Sequence, residues 1–141
     1  MKEKRQRPSA VPGWGKVLIT LAVIFGAGIL IFTQLPRGAF PTDLSRIGQG
    51  SPALVVARDI NFVAGAEVMD LLNTVRPEYS DRVEFLAVNL GNRQGQGFAR
   101  LHRMRDGTVV LFSGDGTRIS AIDVPRTQGE VRQLLGMANI R

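Results

Sequence analysis

The chain has 141 residues, no cysteine and one histidine, His102. Without a thiol there are no disulfides, no thiolate nucleophile and no dithiol redox couple. The missing cysteines and the single histidine also remove the common zinc ligand sets and leave His102 as the sole candidate for a catalytic relay. It stands among Arg100, Arg103 and Arg105, with Asp106 the nearest acid, a setting that suits a surface histidine. Lysine is absent after Lys16, so the rest of the chain has no Schiff-base chemistry. Beyond residue 36, thirteen arginines face eleven acids, too even a balance for the concentrated basic face of a nucleic-acid binder. Asp59, Asp115 and Asp123 form no acid–base pair or metal set, and no metal or cofactor site is expected.

Charge is missing altogether from Val17 to Leu35. Nineteen helical residues extend roughly 28 Å, close to the roughly 30 Å of a bilayer's hydrocarbon core. Trp14 and Lys16 bracket one end, and Pro36 and Arg37 the other, so the run is expected to be one transmembrane helix over residues 17–35. Lys2, Lys4, Arg5, Arg7 and Lys16 precede it against the single acid Glu3. The positive-inside rule then keeps a basic tail, residues 1–16, in the cytoplasm and exports the rest. A cleaved signal peptide has a similar beginning, but its apolar region is about 7–15 residues long, and the one small-residue cleavage site, ending at Ala39, has Arg37 where a small residue is needed. The expected localisation is therefore single-pass in the cytoplasmic membrane, with a periplasmic or extracytoplasmic domain. Ala22, Gly26 and Gly28 make a face that a partner helix could approach closely.

Residues 36–51 are rich in Gly, Pro and polar side chains and read as a linker. Its apolar points, Phe40, Leu44 and Ile47, could dock on the domain, on lipid or on a partner. Residues 52–141 suffice for one small core. Ala53–Ala57 is a continuous apolar run, as in a strand buried on both faces. Val68, Leu71, Leu72 and Val75 then recur at helical spacing, with Pro77 expected to end or kink the helix. A second strand is expected over Val83–Leu90. Gly91–Gly97 is glycine-rich and polar, and the next helix runs through Phe98, Leu101 and Met104 at a spacing of three. Thr108–Ser113, the turn Gly114-Asp115-Gly116 and Arg118–Val124 read as a hairpin. A last helix opens with a capping box, Thr127 to Glu130, and buries Val131, Leu134, Leu135 and Ala138. The order predicts a mixed four-stranded α/β sheet, with right-handed crossovers between the early strands and helices on both faces.

This order, with the residues at its joints, resembles the thioredoxin family. The resemblance covers roughly Ser51 to Leu135. Ala-Leu-Val-Val-Ala with its loop and helix is similar to the segment that carries the family's active site. Arg-Pro-Glu-Tyr followed by Ser-Asp-Arg-Val-Glu-Phe-Leu-Ala-Val-Asn is similar to the family's helix end and next strand, and Gly-Thr-Val-Val-Leu-Phe-Ser-Gly-Asp-Gly to its later strand and hairpin. The resemblance implies a thioredoxin-like domain, but the family's Trp-Cys-x-x-Cys is replaced by Asn61-Phe62-Val63-Ala64-Gly65-Ala66. The cysteine positions fall on Phe62 and Gly65 or on Val63 and Ala66. The family's cis-proline is replaced by Gly107, where an ordinary trans bond is expected.

A retained fold without the dithiol points to a non-enzymatic role in binding. Ile60, Phe62 and Val63 lie on the loop that the resemblance sets beside the substrate groove, and Gly107 leaves room there for another backbone. They form an apolar docking patch, or else Phe62 and Val63 turn inward and fill the space of the missing site. Arg93, Arg100, Arg103 and Arg105 offer a second surface, for an acidic partner or lipid headgroups, or a merely solvated face. The expected function is a redox-inactive accessory or assembly subunit of an integral membrane protein complex, respiratory or photosynthetic. The alternative is a free-standing, membrane-tethered binding module or chaperone for exported polypeptides. The expected partners are that complex and the lipid bilayer, with no nucleic acid.

Overall fold

A computed structural model describes residues 12–34 and 39–140, without the side chains of residues 32–34. The basic tail up to residue 11, the end of the apolar run with Pro36 and Arg37, and Arg141 lie outside the described residues. The chain divides into two compact units, Met1–Pro36 and Arg37–Arg141.

Among its described residues the first unit contains one helix, α1, Gly13–Gln34. It begins four residues before the uncharged run and takes in Trp14 and Lys16, because no proline or capping residue interrupts the helix between Gly13 and Val17. Its stretch Gly13–Ile31 is long and apolar enough to cross a membrane, and none of it is buried. The described side chains of the small-residue face, Ala22, Gly26 and Gly28, have no packing partner; a Cβ on either glycine would meet nothing within 4 Å.

The second unit is built on four strands, β1 (Ala53–Arg58), β2 (Glu84–Asn89), β3 (Thr108–Phe112) and β4 (Arg118–Asp123), in the order β2-β1-β3-β4. β1 pairs parallel with β2 and antiparallel with β3, which pairs antiparallel with β4. Successive strand side chains point to opposite faces. Leu54 and Val56 accordingly pack with Val68, Leu72 and Val75 of α2 (Ala64–Tyr79) and Val131, Leu134 and Leu135 of α4 (Gln128–Gly136). Ala53, Val55 and Ala57 pack on the other face with Ala99 of α3 (Arg93–His102) and with Met104. Two covered faces explain why β1 is apolar throughout. Each fully buried Val or Leu here contributes about 1.5–3 kcal/mol.

Only β1–α2–β2 is a parallel crossover. The Leu90 N–H donates to the Arg58 carbonyl and the Gly107 N–H to the Ala57 carbonyl, both at 2.9 Å. The α3 connection thus starts and finishes at the same end of the sheet. β3 begins on the far side of β1, at the end of the sheet where β2 finishes, and must run the other way, so the expected second crossover does not form.

Three local features refine the sequence reading. Pro77 lies within α2, which continues to Tyr79; in the last turn a missing N–H removes only one helical bond. The glycine-rich segment is the start of α3, since the Asn92 side chain caps it by accepting from the Gly95 N–H at 2.7 Å. Gly95 is required because a Cβ there would collide with the Asn89 carbonyl. Leu101, expected in the core, is 76% exposed, whereas Ala99 is buried. The α4 capping box between Thr127 and Glu130 forms as expected.

Residues 39–50 pack on the domain, the first of the three dockings open to them. Phe40 is buried against Phe85, with ring centroids 6.0 Å apart, and Arg76 lies over its ring at 5.0 Å. The Pro41 carbonyl accepts from the Ala87 N–H of β2 at 2.9 Å. Leu44 and Ile47 pack against the α3-side core.

Candidate functional site

The loop from Asp59 to Val63 turns tightly. The Asp59 carboxylate accepts both the backbone N–H and the side-chain amide of Asn61 at 2.9 Å, and the Phe62 N–H donates to the Asp59 carbonyl at 3.1 Å. This Asx-type turn leaves the intervening side chains pointing outward. Ile60, Phe62 and Val63 are 83%, 62% and 68% exposed. Of the two arrangements open to Phe62 and Val63, the outward one is found.

The N-cap of α2 is Val63, which has no side-chain oxygen with which to cap. Asp106, from the connection between α3 and β3, supplies the missing acceptor. One oxygen takes the Gly65 N–H and the other the Asp59 N–H, each at 2.8 Å. A carboxylate on a helix's first turn also meets the positive end of the helix dipole. The loop is therefore pinned at both ends by a residue more than forty positions away.

Gly107 is corrected as a docking position. It is buried at φ +84°, and an added Cβ would press on Val124 and Ala64. Its N–H donates to the Ala57 carbonyl and its carbonyl accepts from the Val124 N–H at 3.0 Å. No room or free backbone group is left for another chain. Its peptide bonds are trans, like all those of the described residues.

Phe62 and Arg100 meet in one groove of about 450 Å³, whose lining also includes Leu90, Met104, Arg105 and Asp106. The two expected surfaces thus border the same groove, while Ile60, Val63, Arg103 and Gly107 are not part of that lining. Arg100 uses its Nε on the Gln96 carbonyl at 3.4 Å. Arg103 ends α3 in the left-handed region at φ 54°. Arg105 pairs with Asp123 at 3.0 Å. Asp123 also accepts from the Thr108 hydroxyl at 2.7 Å, and this bond, with the Arg105 pair, holds its carboxyl below the ordinary range.

Asp106, Leu90 and Met104 were not singled out by sequence reasoning. Asp106 next to Gly107 at the head of a strand is the local signal, but its partners are remote in sequence. His102 is packed rather than free at the surface. It lies between Phe98, with centroids 4.4 Å apart, and Phe112, at 5.0 Å and edge-on. Burial, and secondarily Arg118, lower its pKa. Among the described residues no group of three or more His, Cys, Asp or Glu side chains could hold a metal ion.

No protein-family model matches the chain, and no curated protein sequence matches it. Solved structures do match. A thioredoxin from Thermus thermophilus is similar with a TM-score of 0.61 and 15% identity, over 72% of this chain and 86% of that one. Trxlp from Edwardsiella tarda EIB202 has a TM-score of 0.58 and 13% identity, over 67% and 95%. A malarial protein has a TM-score of 0.54 and 14% identity, over 64% and 99%. With the strand order and the helices on both faces, these likenesses define the class: an α/β domain of thioredoxin-like fold, in a chain that also carries one long apolar helix. The chain itself has no cysteine, and its loop from Asp59 to Val63 presents three exposed apolar side chains.

Proposed function

We propose that the protein is a membrane-tethered docking module, an accessory or assembly subunit of a larger membrane protein complex, without catalysis of its own. In this reading α1 is an uncleaved anchor with its amino terminus in the cytoplasm, and the thioredoxin-like domain lies on the outer side of the cytoplasmic membrane. The observation that carries the proposal is the loop: Ile60, Phe62 and Val63 are exposed together on a turn fixed by Asp106. Exposed apolar side chains on a rigid turn lose little entropy on binding, so burying them favours association. Fold alone does not define function, and a dithiol mechanism has no thiol here on which to run.

The test is extraction of the tagged full chain from its native membrane in mild detergent, followed by native mass spectrometry. A co-purifying assembly of fixed stoichiometry, weakened by Phe62→Asp, is expected. A second reading, a tethered chaperone for exported polypeptides, draws support from the groove beside Phe62. A lone chain, or a spread of substoichiometric clients, would replace the subunit reading with that one.

A further inference from the structure

The arginines of the domain are unevenly neutralised. Arg46, Arg82, Arg105 and Arg132 each have a carboxylate within 4.0 Å, and Arg76 lies on the ring of Phe40. From Leu90 to Arg105 the sequence has no acid. Within that stretch Arg93, Arg100 and Arg103 are exposed and, among the described residues, none of the three has a carboxylate partner.

Helix geometry gathers Arg93 and Arg100 on one side, and Arg103 follows at the C-cap of α3. Gly95 and Ala99 are the buried positions of α3, so Arg93, Gly97 and Arg100, spaced by four and three, share the outward face. Leu101 lies beside them, 76% exposed. Gly97 has open space around it, so nothing obstructs close approach along the helix. Arg118 adds a further positive charge near the end of α3, where it acts on His102. The surface is a convex helix face whose guanidinium groups lack carboxylate partners, beside one exposed leucine. That combination matches an anionic lipid surface: each guanidinium can hold a headgroup phosphate by two hydrogen bonds, and the leucine can enter the interfacial layer.

We infer that α3 docks the domain on anionic lipid headgroups through Arg93, Arg100 and Arg103. The inference rests on the reading of α1 as a membrane anchor, which keeps the domain at high effective concentration near the bilayer. It adds an orientation to the proposed function, since docking by α3 fixes which way the Phe62 loop faces a membrane partner. Attraction of this kind is worth about fivefold in binding for each arginine and roughly a hundredfold for three, and salt weakens it.

The absence of cysteine allows a direct test. The full chain carrying Gly97→Cys, labelled with a bimane fluorophore, is reconstituted in nanodiscs of phosphatidylcholine alone or with about one third phosphatidylglycerol. Headgroup-proximal doxyl lipid serves as the quencher, and Ala22→Cys is the control label within α1. Quenching at position 97 is expected only in the anionic discs, reversed by 0.5 M salt (about a 4 Å Debye length) and lost in the Arg93→Gln/Arg100→Gln/Arg103→Gln variant. A circular dichroism melt checks that this variant folds. Equal quenching in both discs, or quenching that survives the triple substitution, would overturn the inference. Quenching at 22 without any at 97 removes the α3 docking alone. No quenching at either position removes the anchor and the docking with it. Protection of position 97 only when a native-membrane protein is added would give this face to an acidic protein partner and also overturn the inference.

Discussion

The carboxylate of Asp106 accepts the backbone N–H of Gly65 at 2.8 Å across 41 residues of sequence, while its other oxygen holds Asp59 at the same distance. A single side chain thus ends one loop, starts α2 and ties both to the strand that follows Gly107. Gly65 belongs to this arrangement, because a Cβ there would collide with Asp106 Oδ1.

Replacing Asp106 should therefore loosen the apolar loop as well as weaken the fold. Hydrogen bonds to a charged group contribute about 1.5–3 kcal/mol each and are not additive within one site. Asp106→Ala is expected to cost about 2–4 kcal/mol by urea unfolding, and Asp106→Asn less. Hydrogen exchange should locate the change at the amides of Asp59 and Gly65. Unaltered exchange there would mean that the clamp does not hold the loop.

The glycines of α3 should respond in opposite directions. Gly97→Ala meets open space and replaces the poorest non-proline helix former with the best, a gain of about 0.5–1 kcal/mol. Gly95→Ala drives a methyl group into the Asn89 carbonyl and should cost more than about 2 kcal/mol. Thermal melts of the pair suffice, and a change of the same sign in both would contradict the close approach of α3 to β2.

Phe40 tests whether residues 39–50 belong to the domain's core. Phe40→Ala removes a buried ring and should lower stability by about 3–5 kcal/mol, a loss that a mere tether would not show. Arg76→Met, which keeps the stem and removes the charge over the ring, is expected to cost about 0.5–1 kcal/mol. Both are read from denaturant midpoints at constant m.

Acid should destabilise the domain in two steps. His102 is lowered by burial from its ordinary 6.5, so the unfolded chain takes up a proton first; this contribution is complete above pH 6.5 and declines as the pH falls below it. Asp115 is lowered from 3.8 to about 2 by the hydroxyl of Ser113 and the backbone N–H of Thr117. Its contribution is present above pH 3.8 and disappears as the pH falls toward 2. Asp123 is shifted in the same direction, first by Thr108. In melts recorded from pH 7.5 to 2, His102→Gln should flatten the upper slope and Asp115→Asn the lower. Slopes unchanged by these substitutions would assign the acid response elsewhere.

Much of the fold was legible because its signals are local. The apolar run of β1, the helical spacing of Val68, Leu72 and Val75, and the Thr127–Glu130 box each lie within a few residues. The start of α3 was not, since Gly95 and Gly97 look alike in sequence. Only the packed structure separates a glycine required by the Asn89 carbonyl from one in open space. The reversed direction of β3 depends on where both ends of the α3 connection attach, which no window of sequence contains. At the candidate site, Ile60, Phe62 and Val63 stood out by composition. The Asp106 clamp and the meeting of Phe62 with Arg100 are long-range and did not. Gly107 was misread because its lack of a side chain was taken as room for another chain, whereas that lack serves a buried backbone at positive φ.

The cover that Pro41 gives Ala87 lies along the outer edge of β2. The opposite edge, that of β4, has no backbone partner among the described residues. A sheet with two bare margins can recruit strands without end, and such polymers are a hazard for any protein concentrated in the plane of a membrane. On β2 the bond from Ala87 to Pro41 interrupts that margin, so the unbroken edge of β4 is the one that another strand would meet first.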